Sequence, residues 1–415
     1  MIPGRLRPLV VALLAFLPGA TAAEVRWWKG NLHTHSFWSD GDDFPDSIAA
    51  WYKDQGYHFL ALSDHNRMLE GERWIVRGDT PAFRAALATN AARFGPDWLQ
   101  HRTLQGTNQV RLKTLAEFRD RLEVPGRFLL IPAEEVTSGY LSFPVHLNAT
   151  NLREPLEPSG GTNVLDVMQR GVNSVLDQRR RTGQPMMPHI NHPNFGWGIT
   201  AEDLMALQGE LFFEVYNGHP SVRNEGDDVH AGLDRVWDIL LAWRLGRLGL
   251  PVMYGLATDD SHHYHSHQVG QSNPGRAWVM VRAERLEPAA LIAALEAGNF
   301  YASSGVTLRD VRRTSQALHI EIEPEKGITY STRFIGTRRG FDPTRSPVMS
   351  PAGEPVRATW RYDDSIGETL AVVVGVSPSY EFAGDELYVR ALVTSSKRIA
   401  NPYREGETAS AWVQP

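Results

Sequence analysis

Short runs of apolar and β-branched residues alternate with stretches of helical periodicity along most of the chain. Seven such runs predict β-strands, and the stretches between them predict helices. The predicted strands cover 25–33, 58–63, 128–134, 145–149, 185–190, 211–216 and 252–257. The predicted helices cover 46–55, 115–122, 164–181, 201–207 and 233–248. This alternation is typical of parallel β/α architecture, and seven units favour a barrel over an open sheet.

Two segments depart from that alternation. Residues 66–125 are long for a single connection and hold several Trp and Phe residues, so we expect a partly helical insertion over the mouth of the barrel. A helix at 288–297 precedes the stretch GNFYASSGV, after which Gly, Pro, Asp and Ser separate short strand-like pieces. The expected domains are therefore a barrel over 24–304 and an antiparallel β module over 305–415.

The first residues have the three parts of a secretory signal peptide. Arg5 and Arg7 precede the apolar run 9–17, which is followed by small residues ending in ATAAE. The run is too short to span a bilayer, so we expect a signal peptide over 1–23, with an uncleaved anchor as the alternative. The mature protein is expected to be periplasmic or secreted, without stable membrane insertion.

Composition narrows the class of partner and the type of chemistry. The 415 residues carry a formal charge of -6, from 48 acidic and 42 basic residues, with no basic stripe. We therefore expect a small-molecule substrate, and we do not expect nucleic acid as a partner. Because the chain has no cysteine, any metal ligands must be His, Asp or Glu. The sequence leaves the oligomeric state open.

Ionisable residues recur where the predicted strands end. In NLHTHSFWSD, His33 and His35 project to the same face of an extended strand. The ends of β/α barrel strands meet at one face, where active sites form. A single residue of this kind is more often structural, but burying so many ionisable groups is costly unless they are paired or bound to metal. The further candidates are Asp40 in SDGD, Asp64 and His65 in ALSDHN, Glu134 and Glu135 in IPAEEVT, His146 in VHLNA, His189 and His192 in MPHINHPN, and Asp259, Asp260, His262 and His263 in GLATDDSHH.

The order of these motifs resembles a known family. HTHS and SDG, then SDH, PAEEVT, a following His, NHPN and DDSH resemble the PHP superfamily (polymerase and histidinol phosphatase) over residues 27–300. The resemblance implies an α/β fold, a distorted seven-unit (β/α) barrel of PHP type, here followed by the antiparallel β module. The opening WWKGNLHTHSFWSDG, the later GNFYASSGV and the closing AWVQP look most like secreted members related to carbaryl hydrolase.

The resemblance also implies a set of metal ligands. One metal would be held by His33, His35, Glu135 and Asp260; a second would share Glu135 and add His146 and His192; a third would take Asp40, His65 and His262. The same motifs select these ligands over their neighbours Glu134, His189, Asp259 and His263.

Other residues near the motifs receive different roles. Asp64 is expected to orient an imidazole. We assign catalytic roles to Glu135, Asp260, His192 and Asp64. His189 is expected behind the ligands or in the core, and the remaining histidines of HHYHSH are expected in a surface loop, namely His263, His265 and His267.

Such a site favours hydrolysis. Metals bridged by a carboxylate can ionise a bound water at neutral pH, so the expected nucleophile is a metal-bridging hydroxide. Nitrogen and oxygen ligands without sulfur suit two or three divalent ions, and the ligand set does not choose among Zn, Mn and Fe. The sequence has no GxSxG motif or cysteine that would supply a side-chain nucleophile instead.

Three functions fit these features. The first is phosphoester hydrolysis, and the second is hydrolysis of a carboxylic or carbamate ester at the same metals. The third is a metal-dependent glycan- or surface-binding protein that uses its β tail, although a tail that only braces the barrel is the simpler interpretation. Candidate substrate contacts are Lys29, Arg67 and Arg276 for phosphate, unless they are surface charges, and Phe37, Trp38 and Trp197 for an apolar pocket, unless they are core residues.

Overall fold

The computed structural model describes residues 25–415, so the predicted signal peptide at 1–23 lies outside the described residues. Within that part of the chain, no helix is long and apolar enough to cross a membrane. The elements that precede the tail are β1 (Arg26–Asn31), α1 (Pro45–Asp54), β2 (Phe59–Leu62), β3 (Trp74–Val76), α2 (Pro81–Phe94), β4 (His101–Leu104), β5 (Thr107–Arg111), α3 (Leu115–Leu122), β6 (Leu129–Tyr140), β7 (Phe143–Thr150), α4 (Val164–Thr182), β8 (Met187–Ile190), α5 (Ala201–Met205), β9 (Phe212–Asn217), α6 (Leu233–Trp243) and β10 (Tyr254–Thr258).

Local sequence signals account for the ends of several helices. The side chain of Asn163 accepts the Asp166 N–H at the start of α4, and Gly183 ends that helix in the left-handed conformation, with φ of 70°. Thr114 and Glu117 form a capping box at α3. The seven predicted strands and the predicted helices are confirmed within two residues at each end, except that β6 extends to Tyr140 and α6 ends at Trp243.

The strands lie in the order β10, β9, β8, β7, β6, β2, β1 within one large mixed sheet. The pairs β1–β2, β2–β6, β8–β9 and β9–β10 are parallel. Strand β7 is antiparallel to both of its neighbours, so the prediction of a parallel fourth unit was wrong. The reason is the short turn between Tyr140 and Phe143, which leaves no room for the crossover that parallel strands require.

Backbone hydrogen bonds join the two ends of this strand series. The His35 N–H donates to the Ser261 carbonyl at 3.0 Å, and the Asp260 N–H donates to the His33 carbonyl at 3.0 Å. Side chains from β1, β2, β6, β9 and β10 pack into one buried cluster, which includes Trp28, Phe59, Ile131, Phe212 and Leu256. The sheet therefore curves around a common core, and the segments that follow β1 and β10 meet at one end of it.

The insertion after β2 carries its own small sheet. Its strands β3, β5 and β4 are antiparallel, and α2 and α3 flank them in sequence. Phe83, Val110 and Phe118 of the insertion share a buried cluster with Ile48 of α1 and Leu60 of β2. The partly helical character of this segment and its predicted helix at 115–122 are confirmed, whereas α2 and the small sheet were not predicted individually.

The tail continues the large sheet. From β1 the order runs through β11, β12, β21, β20 and β15 to β18, with antiparallel pairing throughout. A separate three-stranded sheet contains β13, β14 and β19. The predicted antiparallel character of the tail is therefore confirmed. The elements between β10 and the tail are β11 (Trp278–Ala283), α7 (Pro288–Glu296) and β12 (Phe300–Ser303). Those of the tail are β13 (Leu308–Arg313), β14 (Ala317–Ile322), β15 (Tyr330–Arg338), β16 (Arg345–Ser346), β17 (Arg361–Tyr362), β18 (Glu368–Val374), β19 (Ser379–Glu381), β20 (Glu386–Arg398) and β21 (Thr408–Val413).

Candidate metal centre

The pleat of β6 separates two adjacent glutamates. Successive side chains of a strand point to opposite faces, so Glu134 and Glu135 cannot share one site. Glu135 is wholly buried and lies among imidazoles, whereas Glu134 accepts the Leu156 N–H at 3.1 Å. The structure thus places Glu135, and not Glu134, with the other candidate ligands.

Four of the candidate ligands converge closely. The Nε2 atoms of His33 and His35 are 3.1 Å apart. His33 Nε2 lies 3.3 Å from Glu135 Oε2 and 3.2 Å from Asp260 Oδ1, and His35 Nε2 lies 3.2 Å from each of the same oxygens. Ligand atoms about 2.0–2.1 Å from a tetrahedral ion are roughly 3.3–3.4 Å apart. The spacing of these donors therefore fits one divalent cation.

One oxygen at the centre of this group is not satisfied by the protein. Glu135 Oε2 is buried and accepts no hydrogen bond from the described residues. The Nδ1 atom of His65 lies 2.9 Å away, but it is also 2.5 Å from Thr137 Oγ1. A buried carboxylate oxygen without a partner costs several kcal/mol, about as much as a lost charged hydrogen bond. A cation at this position would remove that cost.

The other oxygen of Glu135 faces a different set of groups. Glu135 Oε1 lies 3.0 Å from His146 Nδ1 and 3.4 Å from His192 Nε2, and it accepts Asn191 Nδ2 at 2.7 Å. The predicted second ligand set does not form one compact group. The structure groups His146 with His65 and Glu135, and it groups His192 with His33 and Asp260. The two oxygens of Glu135 therefore face different imidazoles.

The third predicted set lies at the open side of the cluster. Asp40 Oδ1 is 3.4 Å from His262 Nε2, and Asp40 Oδ2 is 3.5 Å from His65 Nε2. His35 Nδ1 also lies 3.5 Å from Asp40 Oδ1. Asp40 has a side chain that is 54% exposed, against 0% for His35. Solvent therefore reaches the cluster from the side of Asp40.

Neighbouring charges strongly shift the pKa values of three residues in the cluster, His33, His65 and Glu135. Burial lowers the pKa of His33, but the carboxylates of Asp260, Glu214 and Glu135 outweigh it and raise that pKa well above its usual range. Against burial, Glu135 and Asp40 raise the pKa of His65 to about 11. The pKa of Glu135 lies well below its usual range, because His33, His65 and His146 outweigh its burial. Protons would therefore occupy positions in the cluster that cations otherwise take.

Backbone conformation is unusual at two candidate ligands. His192 has φ of 22° and Asp260 has φ of 49°, both in the region that residues with a side chain rarely adopt. Such strain persists only where the surrounding structure enforces it, and it concentrates at functional sites. The glycine of SDGD is also required by a close backbone approach. A Cβ atom on Gly41 would lie 2.5 Å from the His35 carbonyl oxygen. The ligand loops are thus held in place by close backbone contacts.

Glu214 is the functional residue that sequence reasoning missed most clearly. Its Oε1 lies 2.7 Å from His33 Nδ1, and its Oε2 accepts the His192 N–H at 2.8 Å. A carboxylate at Nδ1 fixes the proton there and leaves Nε2 free to bind a metal. The available signal was an acidic residue within FFEVYN, a strand that is buried throughout.

Asp64, which we expected to orient an imidazole, makes no direct contact with one in the described part of the chain. It accepts the N–H groups of Ser36 and Ser39 at 2.8 and 2.9 Å, and their hydroxyl groups at 2.8 and 2.7 Å. Its side chain reaches an imidazole indirectly, through Ser39 Oγ, which lies 3.3 Å from His35 Nδ1. Asp64 therefore fixes the loop that follows His35. The reason is that four local donors already occupy its two oxygens.

The remaining candidates lie beside or away from the cluster. His189 is buried, 3.4 Å from Glu214 Oε1, and Asp259 accepts backbone N–H groups from Gly275 to Ala277. Phe37 and Trp38 belong to the core around Phe44, and Arg276 is buried against backbone carbonyls, so it is not a surface charge. Lys29 lies over the Tyr57 and Trp278 rings, Arg67 is exposed, and Trp197 stacks on His230. Of the remaining histidines, His263 has its Nδ1 atom 3.0 Å from Ser272 Oγ, and His265 lies 3.4 Å from Asp43. His267 is exposed.

Comparisons with known proteins gave structural likeness only. No protein-family model and no curated protein matches the chain. A two-domain protein of Bacteroides vulgatus that contains a predicted PHP-like metal-dependent phosphoesterase is 14% identical, with a TM-score of 0.40 over 94% of this chain and 96% of that chain. A protein of Bifidobacterium adolescentis proposed to be a metal-dependent phosphoesterase is 13% identical, with a TM-score of 0.29 over 59% of this chain and 89% of that one.

An amidohydrolase of Chromobacterium violaceum is 16% identical, with a TM-score of 0.27 over 57% of this chain and 88% of that one. At these scores the neighbours add nothing to the assignment of individual residues. The candidate metal centre rests on the geometry of this chain.

Proposed function

We propose that the protein is an exported metal-dependent hydrolase of the PHP superfamily, related to the carbaryl-hydrolase-like members, and that its substrate is a phosphoester. The seven strands β1, β2 and β6–β10 would form a distorted barrel, with two or three divalent cations, Zn, Mn or Fe, at its mouth. One observation carries this proposal. Glu135 is buried at the centre of the cluster with its two oxygens turned to different imidazoles, which is the arrangement that a carboxylate bridging two cations requires.

Some residues of the cluster would bind the cations, and others would orient those ligands. His33, His35, Glu135 and Asp260 would hold the most buried cation, and Glu214 keeps the His33 ring in the tautomer that this requires. When bound, divalent cations act as Lewis acids on phosphoryl oxygens and lower the pKa of water toward neutrality.

The open side of the cluster indicates where substrate enters. The side chain of Asp40 is 54% exposed and that of His65 is 26% exposed, whereas Glu135 and His33 are fully buried. A substrate oxygen would therefore approach past Asp40 and His65. The buried ligands exclude water from the opposite side, which strengthens their interactions with charge.

The test compares two adjacent glutamates. We expect the purified protein to carry two or three equivalents of divalent metal and to hydrolyse 4-nitrophenyl phosphate. Glu135→Gln should lose both the metal and the activity, since an amide cannot bridge two cations as a carboxylate does. Glu134→Gln is the matched control, because its side chain faces the other way and an amide oxygen can still accept the Leu156 N–H. Equal metal content and activity in the two variants would contradict the proposal.

A carboxylic or carbamate ester is the second candidate substrate. The half-buried ring of Phe195 lies 5.1 Å from the ring of His192 and 5.9 Å from that of His146, measured between centroids. An apolar acyl or aryl group could pack on this face. Hydrolysis of aryl acetates or carbamates without hydrolysis of aryl phosphates would establish that function. Metal binding without hydrolysis of either class would instead favour a metal-dependent binding protein.

A further inference from the structure

The loop that follows β9 carries a histidine that neither the sequence motifs nor the proposed ligand sets include. The ring of His219 lies 5.4 Å from the ring of His262 and 6.2 Å from that of Phe195, between centroids. It is half-buried, so part of the ring faces solvent at the edge of the cluster. His219 therefore stands beside the candidate metal centre without belonging to any of its ligand groups.

Local hydrogen bonds fix the tautomer of this ring. The Ser221 N–H donates to His219 Nδ1 at 3.1 Å. A backbone N–H is an obligatory donor, so Nδ1 must be the acceptor and the ring proton must be on Nε2. Among the described residues, Nε2 has no hydrogen-bond partner, while the His219 N–H donates to Asn217 Oδ1 at 2.8 Å. The ring therefore offers one unused N–H donor at the edge of the cluster.

The loop is held from both ends. Asn224 Oδ1 accepts the Asn217 N–H at 3.0 Å, and Asn224 Nδ2 donates to the Asn217 carbonyl at 2.8 Å. From the tail, Tyr403 and Arg404 both bond to Glu225. A donor on a braced loop costs little reorganisation when it meets a substrate.

We propose that His219 donates a hydrogen bond from Nε2 to an oxygen of the phosphoryl group bound at the candidate metal centre, and thereby acts as a substrate-binding catalytic residue. This inference rests on the proposed function. The role requires no proton transfer, because the ring keeps its proton and only stabilises negative charge on the substrate oxygen. It also assigns a role to the C-terminal module, because Tyr403 and Arg404 of that module bond to Glu225 and so hold the loop in place.

Two substitutions separate this role from a structural one. His219→Asn places an amide oxygen where Nδ1 lies, so it can keep the bond from Ser221 N–H but loses the distal donor. His219→Gln places an amide N–H near the position of Nε2 and weakens the local bond. We expect His219→Asn to weaken binding of inorganic phosphate to the metal-loaded protein at least about tenfold and to lower kcat/KM for 4-nitrophenyl phosphate about 10- to 100-fold. His219→Gln should recover most of both.

The measurements are calorimetric phosphate titration, steady-state kinetics and metal content, all on the full chain. Unchanged metal content in both variants, with loss in His219→Asn and recovery in His219→Gln, is the expected result. Phosphate binding by His219→Asn equal to that of the unmodified protein, or loss in His219→Gln with recovery in His219→Asn, would overturn the inference. If the unmodified protein binds phosphate through His219 but hydrolyses no ester, the phosphate-binding role of His219 stands, whereas its catalytic role and the proposed function fail.

Discussion

Two buried clusters of charged side chains differ in how completely hydrogen bonds within the protein satisfy them. In the first, Arg390 of β20 donates to both oxygens of Asp238 at 2.7 and 2.8 Å and to Asp234 Oδ1 at 2.9 Å. In the second, Glu135 Oε2 lies among the imidazoles of His33 and His35 and accepts no hydrogen bond from the described chain. The first cluster is complete within the protein, and the second is not.

The difference shows what each cluster is for. Arg390 and Asp238 connect the tail to α6, so their contacts serve the packing of two parts of the fold. The Glu135 cluster collects imidazoles and carboxylates that a protein alone satisfies poorly, which is the expected condition of ligands that await a cation. Removing metal should therefore change only the second cluster.

Metal removal should have the largest effect. Each cation that binds only the folded state adds about 4 kcal/mol of stability at a concentration 1,000 times its Kd. We expect a chelator to lower the free energy of unfolding by at least that much, measured by urea denaturation with and without chelator. A stability that does not change on chelation would show that the Glu135 cluster is satisfied without cations.

Breaking the complete cluster should have the next largest effect. Arg390→Met leaves Asp238 buried without its partner, which should lower the free energy of unfolding by about 3–5 kcal/mol. Metal content should stay unchanged. Arg309→Met is the control, because Arg309 pairs with Glu323 at an exposed site, where loss of the pair should leave the free energy of unfolding nearly unchanged. Loss of metal from Arg390→Met would mean that the two clusters are coupled.

Glu214→Gln should weaken metal binding without abolishing it. The amide can donate to or accept from His33 Nδ1, so the tautomer with a free Nε2 is no longer enforced. Substitutions behind a metal ligand typically cost about 10- to 100-fold in affinity. Competition with a fluorescent chelator would measure this loss. Glu210→Gln is the control, because Glu210 lies in the same segment but contacts no imidazole of the described chain, and this variant should bind metal normally. Equal metal affinity in the two variants would show that Glu214 does not orient His33 for metal binding.

Glu210 itself should give the smallest effect, and one that depends on pH. Burial raises its pKa well above the usual range, despite bonds from Leu211 N–H and Phe212 N–H and the charge of Arg244, and its Oε2 has no partner among the described residues. A raised pKa in the folded state adds stability below the unfolded value of 4.5, and that stability is lost as pH rises.

Glu210→Gln should therefore become progressively more stable than the unmodified protein as the pH is raised from about 5 to about 8, since the amide has no charged form to bury. Urea denaturation at several pH values would measure the gain. A difference between the two proteins that is constant over this range would contradict the raised pKa.

Local sequence patterns were sufficient to predict the strands but not their directions. Apolar runs identified the strands because each buries a continuous segment, and the strand pleat separates Glu135 from Glu134. The antiparallel β7 was missed because strand direction depends on the two-residue turn before Phe143, which periodicity does not report. His146 consequently lies early in its strand and not at its carboxyl end.

Long-range partners were beyond sequence reasoning. Glu214 lies in a strand whose pattern reads as core, and its role depends on His33, which is 181 positions away in the chain. Arg390 and Asp238 are 152 positions apart, and neither belongs to a motif. The candidate ligands were identifiable because a known family places them at strand ends, whereas the groups that orient them follow no such spacing.

The most direct test of the central claim is a crystal structure of the metal-loaded protein, with anomalous diffraction recorded at the absorption edge of the bound metal. We predict an anomalous peak among His33, His35, Glu135 and Asp260, and a second peak on the other side of the Glu135 carboxylate. Ordered water or direct hydrogen bonds at these positions, in crystals grown with excess Zn, Mn or Fe, would contradict that claim.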